Sequence, residues 1–291
     1  MLGYLVLSGI TTGALYALVA LGVVIVFKAT GTVNFAHGDL FMIGGFLAFT
    51  FHVLMGLPYL VALALAVAAG FGIGILTDRI AFRPLMRANL VSLVLATVGF
   101  SFILKGIARS VWGGKADLFA FPPLISPDPI FLGPLIIIPQ QLVAIGGAAL
   151  VMGAFAAFFR LTRIGKMMQA TADNPKAATL VGIRTDRVYM YAFGVGAAVA
   201  ASAAVLMAPL TLLYPDIGFV LFIKGFAAAV LGGLSSLPGA VVGGLVVGVV
   251  EALAGGYINS SFLEVSAFVV IMVVLVLRPT GLFGATAVRR V

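Results

Sequence analysis

The chain has 291 residues, 63% hydrophobic and 9% charged, with a net charge of +8 and no cysteine. Soluble domains are roughly a quarter charged, so this chain cannot cover a water-facing surface, and its solvent is lipid. The absence of cysteine excludes disulfides and thiolate metal sites. The basic residues sit in a few loops, which argues for membrane orientation and anionic headgroups and against nucleic acid.

Apolar runs of roughly 20 residues recur, which makes the spans helices rather than barrel strands. The first covers 2–27 and stops at Lys28. No basic region precedes it, so a permanent span is expected, not a cleaved signal. Gly9 and Gly13 form a GxxxG pair suited to close helix packing, although glycine is frequent in membrane helices in general. The stretch KATGTVNFAHGDLFMIGGF (28–46) is too polar for a clean span and brings Asn34, His37 and Asp39 within six residues. If it folds inward, these groups line the inner part of a path; if it stays at the surface, they are interfacial. A short second span covers 38–53, and a third covers 58–76. The loop after it carries Arg79, Arg83 and Arg87. The fourth span, 90–112, has Lys105 and Arg109 near its far end, where both can snorkel outward.

Residues 113–139 form a loop with six prolines, a density that resists helix and strand alike; it holds Lys115, Asp117 and Asp128. The fifth span is 140–159. The longest polar run follows, 160–187, with Arg160, Arg163, Lys166, Lys176, Arg184 and Arg187 against Asp173 and Asp186. Four more spans follow at 188–210, 219–231, 240–253 and 262–277, then a tail with Arg278, Arg289 and Arg290. Several are short, so the expected fold is an all-α polytopic membrane protein. It has about eight to nine transmembrane helices, some discontinuous, in one transmembrane domain over 1–291. With nine spans and the 160–187 loop inside, 13 of the 17 Lys and Arg lie inside. The positive-inside rule then gives an N-out, C-in chain.

Within the later spans, Gly239 with Gly243 and Gly244 with Gly248 make two small-residue rows, fit for tight packing or for a broken helix beside a path. Lys224 and Glu251 are charges at membrane depth and are placed to pair across adjacent helices. Residues 98–114 align without gaps to 217–233 and would run in the opposite direction, as inverted repeats do; composition alone also makes apolar helices alike. There is no GxxxxGK[ST] phosphate cradle, no metal-ligand cluster and no plausible Ser-His-Asp frame, so an intramembrane enzyme is a poor reading.

The polar loop has its own local structure. Asp173, Asn174 and Pro175 read as a helix start, and Gly182 as its stop. Ala177, Ala178, Leu180 and Val181 lie between them as a small apolar face. Orientation explains the basic flanks but not this short capped helix. A knob from Ala170 to Gly182 is what would fit a groove on a partner.

These residues resemble a family. KATGTVNFAHGDLFMIGGF, ATADNPKAATLVGI in the inner loop, AAVLGGLSSLPGAVVGGLVVG with Glu251, and the closing LRPTGLFG resemble the permease subunit of a branched-chain amino acid ABC importer. The likeness covers essentially the whole length, and the compact N-terminus is closer to the shorter of the family's two permease types. The resemblance implies four partners around this chain in a bacterial inner membrane. They are a second, similar permease, two cytoplasmic ATPase subunits and an extracytoplasmic binding protein. It implies that residues 170–182 form the coupling element, and that ATP and Mg are held by the ATPase subunits, with no cofactor on this chain. Lys105 and Lys224 are departures, since less charge is expected there. Substrate is the loosest implication: branched-chain amino acids, or urea and short amides. A stand-alone secondary transporter would need a coupling carboxylate at mid-membrane, for which Asp39 and Glu251 are the candidates. Asn34, His37, Asp39, Lys224 and Glu251 are the translocation-path candidates.

Overall fold

The computed structural model describes residues 1–86, 88–113, 118–125, 128–132 and 135–284. Arg87, Gly114, Lys115, Asp117, Arg289 and Arg290, which enter the reading above, lie outside the described residues.

Among the described residues, eleven α-helices run in the order α1 (Leu2–Thr30), α2 (His37–Phe49), α3 (Tyr59–Thr77), α4 (Leu90–Trp112), α5 (Pro139–Leu161), α6 (Arg163–Asp173), α7 (Pro175–Leu180), α8 (Thr185–Met207), α9 (Ile217–Gly232), α10 (Leu237–Tyr257) and α11 (Phe262–Leu277). Among the described residues, seven helical stretches are long and apolar enough to cross a membrane, and α9 and α11 are shorter apolar helices. Each of the nine expected spans therefore has its helix, and the chain is an all-α polytopic membrane protein.

Two expectations on the loops need correction. Helical structure does not stop at residue 76: it continues from α3 through a wide turn, Asp78–Phe82, and a tight one, Arg83–Leu85. Arg83 holds this extension, with its guanidinium 3.3 Å from Asp78 and donating to the Asp186 carbonyl at 2.9 Å. The proline-rich loop is not free of strand. Ile130–Leu132 (β1) pairs antiparallel with Leu135–Ile137 (β2), Ile130 opposite Ile137. The six residues of the two strands are aliphatic or aromatic, with high preference for the extended form.

α1 is the central post, buried from Gly13 to Val26. It packs most extensively on α10, and also on α8, α9 and α5. The contact with α10 is a mutual glycine seam. A Cβ on Gly9 would stand 2.7 Å from Val249 Cα, and one on Gly13 2.8 Å from the Gly244 carbonyl oxygen. From the other side, a Cβ on Gly244 would stand 2.5 Å from Ala17 Cα, and one on Gly248 would collide with Gly13. Backbones can approach this closely only where side chains are absent, which is how helices associate in lipid without a hydrophobic drive.

α2 is also enclosed, between α3, α8, α9 and α4. By contrast, α4 and α5 are largely exposed, with Leu95, Phe102 and Leu150 open at 63%, 68% and 71%. In a membrane chain such faces meet lipid or another subunit.

Candidate functional site

The polar segment between α5 and α8 is built as two helices, not one. The Thr162 hydroxyl accepts from the Gly165 amide at 3.0 Å and starts α6. Gly165, Met168 and Thr171 of α6 are buried while its other face is polar. Sequence reasoning missed α6, although its apolar residues Ile164, Met167 and Met168 and the buried Thr171 recur at helical spacing. Asn174 ends α6 and starts α7, its side-chain oxygen accepting from the Ala177 amide at 3.0 Å. Gly182, at φ +86°, stops the element, and the Ile183 amide returns to the Ala178 carbonyl at 3.0 Å.

The expected apolar knob is present but smaller than expected. Ala178 is buried at 3%, turned toward its own chain, and so does not belong to the displayed face. Leu180 and Val181 are 88% and 78% exposed and form its tip. Ala170, Asp173, Pro175 and Ala177 are exposed beside them. Of the six α7 residues, Ala178 alone is buried.

The polar residues at the start of α2 do not lie at a surface. Asn34, His37 and Asp39 are 3%, 0% and 2% exposed. The Asn34 side-chain oxygen accepts from the Ala36 amide at 3.1 Å and closes the turn into α2. The His37 ring packs on Gly22 of α1, where a Cβ would collide with it. Asp39 accepts from the Ser101 hydroxyl of α4, and its second oxygen has no partner among the described residues. The interfacial reading of these three residues is therefore replaced by burial.

Lys224 and Glu251 meet. The Lys224 ammonium donates to Glu251 Oε1 at 2.5 Å, and Tyr16 joins them. The Tyr16 hydroxyl donates to the same carboxylate oxygen at 3.3 Å and accepts from Lys224 at 3.3 Å. The triad ties α9, α10 and α1 together. A second cluster lies at the C-terminal end of α4. Arg109 donates to Asp216 at 2.8 Å, and the Lys105 ammonium stands 3.7 Å from the same carboxylate. Lys105 is thus turned to Asp216 and is only 14% exposed, not free at the surface. Sequence reasoning missed Ser101, Asp216 and Tyr16. Ser101, Lys105 and Arg109 fall on one helix face at four-residue steps, a signal that was readable. No group of His, Asp and Glu among the described residues could hold a metal ion.

Comparison with known proteins decides the family. The model described as branched-chain amino acid transport system / permease component matches residues 5–277. The chain belongs to this permease family. It is 35% identical to the high-affinity branched-chain amino acid transport system permease protein LivH of Salmonella typhimurium, over 98% of this chain and 96% of that one. It is likewise 35% identical to the BraD permease of the corresponding Pseudomonas aeruginosa system, with the same coverage. The autoinducer 2 import system permease protein LsrC of Yersinia enterocolitica is 32% identical over 70% of this chain and 51% of its own length. The solved structure of PsaBC from Streptococcus pneumoniae in complex with a Fab covers 94% of this chain and 91% of that one, with a TM-score of 0.50 at 15% identity, which shows a shared fold. For this permease, the multi-pass membrane architecture and the transport role follow from membership.

Proposed function

We propose that this permease is the membrane-spanning subunit of a binding-protein-dependent ABC importer that moves branched-chain or related aliphatic amino acids across a bacterial inner membrane. ATP and Mg are handled by two cytoplasmic ATPase subunits. A second permease of the same kind completes the membrane part, and an extracytoplasmic binding protein delivers the substrate. The observation that carries this reading is the tip of α7, with Leu180 and Val181 exposed on a capped helix amid basic flanks. An apolar pair presented to water costs solvation unless something covers it, and a groove on an ATPase subunit is its counterpart.

Motion is then transmitted mechanically. ATP binding closes the ATPase pair, α7 moves with it, and α6 passes the displacement to α5 and α8, on which it packs. Affinity can reside in the binding protein, so this chain needs a path rather than a tight site. The substrates of LivH and BraD, by their names, set the first choice of cargo. The autoinducer 2 permease among the relatives, by its name, keeps a different cargo as the second choice.

The test uses the assembled transporter in vesicles. Leucine uptake should require ATP and the binding protein, and Leu180→Arg should cut it roughly tenfold or more while ATP hydrolysis continues. That magnitude is what losing one buried apolar anchor and inserting a charge costs at an interface. ATP-independent leucine uptake by this chain alone in liposomes would overturn the reading.

A further inference from the structure

The far end of α4 and the turn before α9 bring together three charges, Lys105, Arg109 and Asp216, beside a face that is otherwise apolar and exposed. Lys105 lies about two turns before the end of α4 at Trp112, roughly 10 Å along the axis. Its ammonium accepts no compromise with hydrocarbon at that depth. Yet no described residue takes a hydrogen bond from it. Asp216 stands at 3.7 Å, beyond that distance, and the remaining neighbours are the rings of Phe102 at 5.9 Å and Phe219 at 5.4 Å. Both rings are exposed, at 68% and 53%, and the Asp216 side chain is 53% exposed beside them. Beneath, Asp39 fixes Ser101 one turn below Lys105 and keeps one oxygen unpartnered. Farther along α9, Val220 and Ile223 continue the apolar surface to Lys224, facing Phe268 across a cavity of about 190 Å³.

A partly coordinated cation, a half-exposed carboxylate beside it and two open aromatic rings match one ligand chemistry, an aliphatic zwitterion. We propose that this face of α4 and α9 is a wall of the translocation path, and that Lys105 receives the carboxylate of the passing amino acid. Asp216 takes the ammonium, and the branched side chain lies against Phe102 and Phe219. Arg109, which already holds Asp216 at 2.8 Å, keeps that carboxylate in place when Lys105 turns to the ligand. The inference rests on the import reading and deepens it, naming a contact site for the cargo.

The natural absence of cysteine makes the test clean. Single cysteines replace Phe102 and Phe219, with Leu150→Cys on exposed α5 as the lipid control, in the assembled transporter in nanodiscs. An anionic, membrane-impermeant thiol reagent should label the first two and not the third, because thiolates form only where water reaches. Leucine supplied with the binding protein and ATP should slow that labelling. Lys105→Met should lower leucine import roughly tenfold or more, the loss expected for a charge-assisted hydrogen bond, with Lys105→Arg retaining most of it. Labelling at Phe102→Cys and Phe219→Cys as low as at Leu150→Cys overturns the proposal, and so does undiminished import by Lys105→Met. If the two cysteine variants label as expected but the transporter imports no leucine, the import reading fails and the zwitterion assignment falls with it, while a water-lined wall stands.

Discussion

At the scale of single residues, the Lys224–Glu251–Tyr16 triad shows how lipid changes the worth of a charge. The Lys224 and Glu251 side chains are 12% and 8% exposed and 2.5 Å apart. Removing one partner of such a pair strands the other in a poorly solvating interior, at a cost of about 3–5 kcal/mol, whereas replacing both with apolar groups is often close to neutral. Lys224→Met should therefore lower the thermal stability of the detergent-solubilised chain sharply, and adding Glu251→Leu should recover most of the loss. A double variant as unstable as the single one would show that the triad stabilises through its geometry rather than by charge compensation. The pairing of Lys224 with Glu251 was legible, because two opposite charges in adjacent apolar spans have few other partners. The part played by Tyr16 was not. It sits in an unbroken apolar run, where nothing nearby in sequence separates a buried hydroxyl with a partner 235 positions away from an aromatic that only fills space.

At the scale of elements, the seam between α1 and α10 is the strongest constraint on packing. Gly248 sits where any side chain meets the backbone of Gly13, and α1 has no room to retreat, because α8 and α9 enclose it on its other sides. Gly248→Val should cost about 1–3 kcal/mol through overpacking, read as a lower unfolding temperature in detergent. Gly146→Ala on α5, where an added Cβ meets open space, should leave that temperature unchanged. Equal stability for both variants would mean that the seam opens freely. Gly9, Gly13, Gly244 and Gly248 were visible as small-residue rows, but not as each other's partners, since spacing along one helix does not say which helix it meets. The α7 helix was legible from Asn174, Pro175 and Gly182 because caps and stops are local chemistry. Its displayed face was misjudged at Ala178, because which side of a short helix turns inward is decided by packing against the rest of the chain. The same reason hid the meeting of Asp216 with Arg109, which joins the turn before α9 to the far end of α4.

At the scale of the whole molecule, the charge asymmetry becomes a geometric polarity. The end of α1 at Lys28, the extension after α3 with Arg79 and Arg83, the α6–α7 segment and the chain after α11 gather at one pole. Lys28 and Ala29 share a cavity with Met168 and Gln169, Arg83 reaches Asp186, and the Leu282 and Phe283 amides donate to the carbonyls of Leu231 and Gly232. All the described Lys and Arg lie at this pole except Lys105, Arg109 and Lys224. The opposite pole holds the start of α1, the β1–β2 hairpin and the turn before α9, which pairs with the proline-rich loop through Phe119 and Leu213 at 2.8 and 2.9 Å. Retention of Lys and Arg on the cytoplasmic side then orients the molecule with the α6–α7 segment inside and the hairpin outside. In whole cells, Asp128→Cys should react with an impermeant maleimide, and Asn174→Cys should react only after permeabilisation. The reverse pattern would invert the molecule and place the Leu180–Val181 tip outside, where no ATPase could reach it. This single labelling experiment therefore bears on orientation and on the coupling role of α7 together, because the fold fixes the two poles relative to each other whichever way the chain inserts.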